Sequence, residues 1–237
     1  MTEKKAAPYL AYAIGEIFLV VIGILIALSI NNWNEGIKER KQLEGYLAGI
    51  LKNIQTDTTA IRIINRTYKR ANKAGIAFMR ELLTESYDPK ILVDAMVVFG
   101  EQYVTIDQSS FESLKSSGYI GKLQGSQLGE ALFRYYNYHQ QVVETETSYN
   151  NFVEQMEAAL FDGNPDDVID AVKFLGEVNP QLLKFSRPRD EVSKNIYRTP
   201  QIVGAMARAS IENTAHYDSL LSYATQLLSL LEEELKD

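Results

Sequence analysis

The stretch Tyr9–Ile30, YLAYAIGEIFLVVIGILIALSI, decides how the rest of the chain is read. It is apolar apart from Glu16, Ser29 and small residues, and Ile17 to Leu28 is unbroken. A helix of this length, at ~1.5 Å per residue, reaches about 33 Å, against a hydrocarbon layer of ~30 Å. Tyr9 and Tyr12 stand at one end and Trp33 at the other, where the aromatic belts of a membrane would hold them. Asn31, Asn32 and Asn34 mark the return to water. The reading is a transmembrane helix over 9–34, preceded by a short tail over 1–8.

Two other readings compete with it. Ala27-Leu28-Ser29 has the small-x-small form of a signal-peptide cleavage site. Only Lys4 and Lys5 precede the run, however, and Glu16 interrupts it. A buried helix of a soluble protein rarely carries so few charges over this length. Sidedness is not set by charge: Lys4 and Lys5 before the span nearly balance Lys38, Arg40 and Lys41 after it.

Beyond the span, residues 35–237 read as one helical bundle domain. Leu43, Leu47, Ile50, Ile54, Thr58, Ile61, Ile64, Tyr68, Ala71, Gly75, Phe78 and Leu82 step by three or four. No proline falls between 9 and 88, so the membrane helix is expected to run straight into this one, with Asn34-Glu35-Gly36 as its weak point. Asp88-Pro89 predicts a shorter helix to about Tyr103. Ser109-x-x-Glu112 has the form of a capping box, opening a short helix that Gly118 ends. Ser126 caps a long helix over about 127–160. Gly163-Asn164-Pro165 breaks the chain, a short helix spans Asp166 to about Leu175, and 176–198 is connector. Thr199-Pro200 predicts an N-cap with proline at the first helical position, opening a last helix to about Leu235. No segment shows convincing period-two alternation, so no sheet is expected. The fold class is therefore all-α: an N-terminal transmembrane helix continuing into an elongated antiparallel helical bundle.

Composition narrows function mainly by exclusion. The 237 residues contain no Cys and two His, which removes thiolate chemistry and leaves few candidates for a nucleophile–base pair. No glycine-rich phosphate loop, G-x-S-x-G or H-E-x-x-H occurs. No cofactor, metal site or catalytic residue is expected. The net charge of −7 carries no nucleic-acid footprint. Charge is uneven, net +6 over 36–84 and net −11 over 85–177, which reads first as a basic helix docked beside acidic ones. Lys38, Arg40 and Lys41 are near enough to the span to meet lipid head groups.

Two groups of residues stand out as candidate sites. Glu16, Gly23, Ala27 and Asn34 fall on one face of the membrane helix, and Gly23-x-x-x-Ala27 would let a second helix approach closely. That face is the candidate contact with a protein partner or a second copy, besides the lipid bilayer itself. His139, Glu146, Asn213 and His216 are polar candidates in the helix seams, either setting register or surrounding a ligand.

The run AYAIGEIFLVVIGILIALSINNWNE, Ala11 to Glu35, resembles the signature of domain of unknown function 6090, a family of single-pass membrane proteins of Bacteroidota. A second block, SSFESLKSSGYIGKL from Ser109 to Leu123, and the LFRYYNYH run that follows resemble the same family. The resemblance implies a bacterial inner-membrane location, with the bulk of the chain periplasmic, and it implies no reaction. Two functions remain open. One is a non-enzymatic scaffold or sensor that binds a partner. The other is a ligand-binding or enzymatic bundle with a site between the long helices.

Overall fold

The computed structural model describes residues 6–84, 97, 100–161 and 194–236, with side chains over 12–77, 80, 97, 100–156, 207–208 and 210–236. Among the described residues the fold is all-α, with no strand. Helix α1 spans Ala6–Thr84 without a break, α2 spans Ser109–Ser116, α3 spans Gln127–Phe161 and α4 spans Lys194–Glu234. A 3₁₀ turn over Tyr119–Leu123 joins α2 to α3.

α1 has two halves of opposite character. Every residue from 12 to 38 is exposed, although its most apolar stretch has a mean hydropathy of 2.7. It is long and apolar enough to cross a membrane. From Leu43 onward the same helix buries a stripe: Leu47, Ile50, Ile54, Thr58, Ile61, Tyr68 and Ala71 are buried, as the spacing predicts. Asn34-Glu35-Gly36 stays helical. One glycine costs a helix only about 1 kcal/mol relative to Ala, too little to interrupt so long a ladder.

α4 lies between α1 and α3 and packs on both. Asn65 meets Asp218 and Asn72 meets Ser210, so α4 runs antiparallel to α1. The Tyr138 ring packs on Tyr223 and Glu146 meets Tyr217, so α4 is antiparallel to α3 as well. Leu128, Leu132, Tyr135 and Val142 from α3 join Leu220, Ala224, Leu227 and Leu231 from α4 in one core with the α1 stripe.

The groove between α1 and α3 is filled by chain that is not helical. The helix expected from Asp88 to Tyr103 lies outside the described residues over 88–96, and its described end is not a helix. Val97 has 3₁₀ geometry, and 101–108 is neither helix nor sheet strand. Gln102, Val104 and Ile106 are buried while Glu101, Tyr103, Thr105 and Asp107 are exposed, the alternation of an extended strand. Contacts pass from Tyr68 at Glu101 to Asn53 at Asp107, so the segment runs antiparallel to α1. Six extended steps and fifteen helical ones both cover about 20–22 Å, so the two lengths match.

Three other expectations meet the structure differently. The capping box at Ser109 is not formed: Ser109 is already helical, Gln108 precedes it without a side-chain cap, and Glu112 pairs with Lys115 instead. The Asp107 carboxylate takes the Ser109 N–H at 2.9 Å, the donor that Glu112 would serve in a capping box, and the Gln108 carbonyl takes the Glu112 N–H at 2.9 Å, the donor that Ser109 would serve. Gly118 does end that helix, at φ 79°, where a side chain would be strained. Ser126 does cap α3, accepting the Gly129 N–H at 3.0 Å. Gly129 also allows the turn to close, since a Cβ there would stand 2.2 Å from the Leu123 carbonyl oxygen. α4 begins at Lys194 rather than at Thr199, so part of the expected connector is helix and Pro200 sits inside it. Pro200 is the seventh residue of α4, past the first turn, so it costs the helix one i→i−4 hydrogen bond without ending it. The short helix expected at Asp166–Leu175 lies outside the described residues.

Candidate functional site

An extended segment buried between helices has no neighbouring strand, so its backbone groups need other partners. Side chains supply them. Gln102 N–H donates to Asn150 Oδ1 at 2.8 Å, and Asn150 Nδ2 donates back to the Gln102 carbonyl at 3.0 Å. The Val104 carbonyl accepts from His139 Nε2 at 3.0 Å, which places a proton on that nitrogen because a carbonyl can only accept. Val104 N–H donates to the Glu146 carboxylate. On the α1 side, Tyr68 Oη donates to the Glu101 carbonyl at 3.0 Å. Asp57 accepts the Asp107 N–H with both oxygens at 3.2 Å, and Asn53 Nδ2 donates to the Asp107 carbonyl, also at 3.2 Å. The backbones of Gln102 and Val104 thus bond to α3, and those of Glu101 and Asp107 to α1. The segment is a strand whose ladders are made of helix side chains.

The Gln102 side chain continues the network into the core. Its Oε1 accepts from Asn213 Nδ2 at 2.8 Å and from Tyr217 Oη at 3.3 Å, and Tyr217 Oη also lies 2.7 Å from Glu146 Oε1. Gln102, Glu146, Asn150, Asn213 and Tyr217 are all buried. One polar layer therefore ties the extended segment, α3 and α4 together. Burial raises the pKa of the Glu146 carboxyl above the ordinary carboxylate value, while the Tyr217 hydroxyl and the Val104 N–H pull it back. Burial also pushes Asp57 up to about 6, against the Asp107 N–H, with the Asp107 charge adding to the rise. The Tyr217, Tyr149, Tyr135 and Tyr136 phenols are all raised, in each case chiefly by burial.

A half-open cleft of about 290 Å³ runs beside this layer. Val104, Ile106 and Val143 give it apolar walls, with Tyr103, Thr105, Gln108 and Thr147 around them. His139 and Glu146 contribute to its lining. Among the described residues, no group of three or more acidic or imidazole side chains converges in a way that would hold a metal ion.

The structure brings three of the four seam candidates together. His139 and Glu146 grip Val104, and Asn213 joins Glu146 through Gln102 and Tyr217. His216 stands apart, its Nδ1 hydrogen-bonded to Tyr138 Oη at 2.8 Å. Glu16, Gly23, Ala27 and Asn34 are all exposed on the apolar half of α1, and space around Gly23 is open. Tyr12 and Trp33 are exposed at its two ends, and the Tyr9 side chain lies outside the described residues. Gln102, Asn150 and Tyr217 were missed as site residues. The one signal for the first in the sequence is composition, three β-branched residues in a row at Val104, Thr105 and Ile106.

A family model described as a family of unknown function, DUF6090, matches residues 16–160. The chain belongs to this family. The matched DUF6090 region takes in most of the apolar helix, the whole extended segment, α2 and nearly all of α3. No curated protein and no solved structure matches the chain.

Proposed function

We propose that this DUF6090 protein is a single-pass scaffold or sensor of the bacterial inner membrane. In this reading it has no catalytic activity of its own, the bundle stands in the periplasm, and a protein partner or second copy is engaged through the membrane helix. One observation carries the reading. Along the single uninterrupted α1, residues 12–38 are exposed and the apolar run among them has nothing packed on it among the described residues, whereas from Leu43 the helix is one wall of a core. An exposed apolar surface of that size marks a face that lipid or a partner covers, and its length fits a bilayer. A continuous helix also couples movement at one end to the other. The polar layer supports a structural role, since its hydrogen bonds are spent on holding the extended segment.

Alkaline extraction of membranes followed by protease treatment of spheroplasts tests the proposal. The chain should stay with the lipid, and protease added outside should digest the bundle. Release by alkali would remove the membrane assignment, and digestion only after lysis would reverse the orientation.

The cleft supports a second reading, in which a small ligand binds between the extended segment and α3. Val143→Trp fills that cleft from an exposed position. A ligand-dependent rise in melting temperature that this variant abolishes would favour the second reading.

A further inference from the structure

We propose that a ring of cations around α1, just beyond its apolar run, is a docking collar for the anionic head groups of a lipid surface. The proposal rests on the membrane reading above and adds its lipid chemistry. Lys38, Arg40 and Lys41 follow the apolar run directly in sequence. A fourth cation arrives from far along the chain. The 3₁₀ turn Tyr119–Leu123 lies against the lower part of α1, where Tyr119 Oη donates to Gln42 and its ring packs on Tyr46. That placement sets Lys122 in an ion pair with Glu39, with the lysine side chain still 45% exposed.

The angular arrangement argues for a surface as the partner. Taking Asn34 as zero and ~100° per residue, Lys38 lies at about +40° and Lys41 at about −20°. Glu39, which holds Lys122, lies at about 140°, and Arg40 at about 240°. Leu47, Ile50 and Ile54 mark the bundle side at roughly 160–220°. Cations thus stand on the face away from the bundle and on both of its flanks. A linear acidic peptide or a single anion calls for a stripe or a pocket. A ring at one height around a rod fits a plane of negative charge that the rod crosses.

The height is right for such a plane. Residues 38–41 stand about 6–10 Å beyond Asn34 along the helix axis. That is within one Debye length of the head groups, ~8–10 Å at physiological salt. Glu35 and Glu39 are the acids in the same layer, and Glu44, one turn higher, pairs with Arg40 at 3.0 Å. Four cations against two acids leave the layer positive, although the whole chain is net −7. Lys38 and Lys41 are exposed and have no ion pair among the described residues.

Trp33, the only tryptophan in the chain, sits beside this layer and provides the readout. The full-length protein is reconstituted into phosphatidylcholine vesicles containing a small, equal fraction of dansyl-labelled phosphatidylglycerol or dansyl-labelled phosphatidylcholine. Energy transfer from Trp33 reports which lipid gathers at the collar. The expected result is about fivefold enrichment of the anionic lipid at low salt, what one Lys or Arg contributes at an anionic surface, largely lost at high salt. Lys122→Gln should lower the enrichment as Lys38→Gln does, with the circular dichroism of each unchanged. Equal transfer to both lipids overturns the proposal. A loss in Lys38→Gln with none in Lys122→Gln contradicts the ring. Failure of the protein to float with the vesicles overturns the membrane reading itself, and that result is seen before any lipid preference is measured.

Discussion

Asn150 pairs with the backbone of Gln102 as a neighbouring strand would, giving one hydrogen bond and accepting another, at 3.0 and 2.8 Å. Both residues are buried. Replacing the amide strands a backbone donor and a backbone acceptor where water does not reach. Asn150→Ala should therefore cost about 2–4 kcal/mol, against little for Asn151→Ala on the exposed face of the same helix. Chemical denaturation of the full chain in detergent checks the difference.

Asp57 makes stability depend on pH in an unusual direction. Its carboxyl lies at about 6 in the fold, against 3.8 ordinarily. Between those values the folded chain holds a proton that the unfolded chain has lost. The stability linked to this group is thus complete below roughly pH 4 and is lost as the pH rises through about 6. The upper bound is about 3 kcal/mol. Burial shifts Glu146 the same way. Melting temperature should rise as the pH falls from 7.5 towards 5, and Asp57→Asn should flatten that rise. A profile in Asp57→Asn as steep as in the parent protein would count against this assignment.

Tyr217 and Asn213 both reach Gln102 Oε1, yet they should differ in cost. Tyr217→Phe removes the hydroxyl beside the buried Glu146 carboxyl, and a hydrogen bond to such a group contributes about 1.5–3 kcal/mol. Asn213→Leu removes a donor while the Tyr217 hydroxyl stays 3.3 Å from the same acceptor, and it also removes an Oδ1 with no partner among the described residues. Its melting temperature should stay close to that of the parent or rise. A large drop would show that Asn213 does more than hold Gln102.

Most of the fold was legible because helices write their buried faces with a fixed period. Leu47 to Ala71, Leu128 to Tyr149 and Leu220 to Leu231 all fall where that stepping puts them. The same rule hid the extended segment. Val104 and Ile106 are too few to show a period of two, and no turn signal set them apart from the helix expected before them. The candidate site suffered from the same gap. His139, Glu146 and Asn213 stood out as polar residues on apolar stripes, but their partners lie on a strand-like segment that gave no pairing pattern. Ser109 misled because the helix starts one residue early: the Gln108 carbonyl takes the Glu112 N–H expected for the serine, and Asp107 takes the Ser109 N–H expected for Glu112.

The proposed contact through the membrane helix is open to direct trial. Gly23 and Ala27 sit one turn apart with free space around Gly23, on the face that also bears Glu16. In a bilayer reporter of self-association carrying residues 1–40, Gly23→Ile should weaken the signal several-fold, and Glu16→Leu should weaken it less. No change in either variant would remove the homomeric contact and leave a different partner helix to be sought.

The central claim is that one rigid helix carries both the lipid-facing half and the wall of the bundle. Because the chain has no cysteine, two spin labels can be placed without other changes, at Leu28→Cys and Arg62→Cys. Both positions are exposed, one on each side of Asn34-Glu35-Gly36. Double electron–electron resonance on the full chain in lipid nanodiscs should give a single narrow distance near 51 Å, from ~1.5 Å per residue. A broad or two-peaked distribution centred well below that value would mean that the helix breaks at the membrane surface, and would contradict the account.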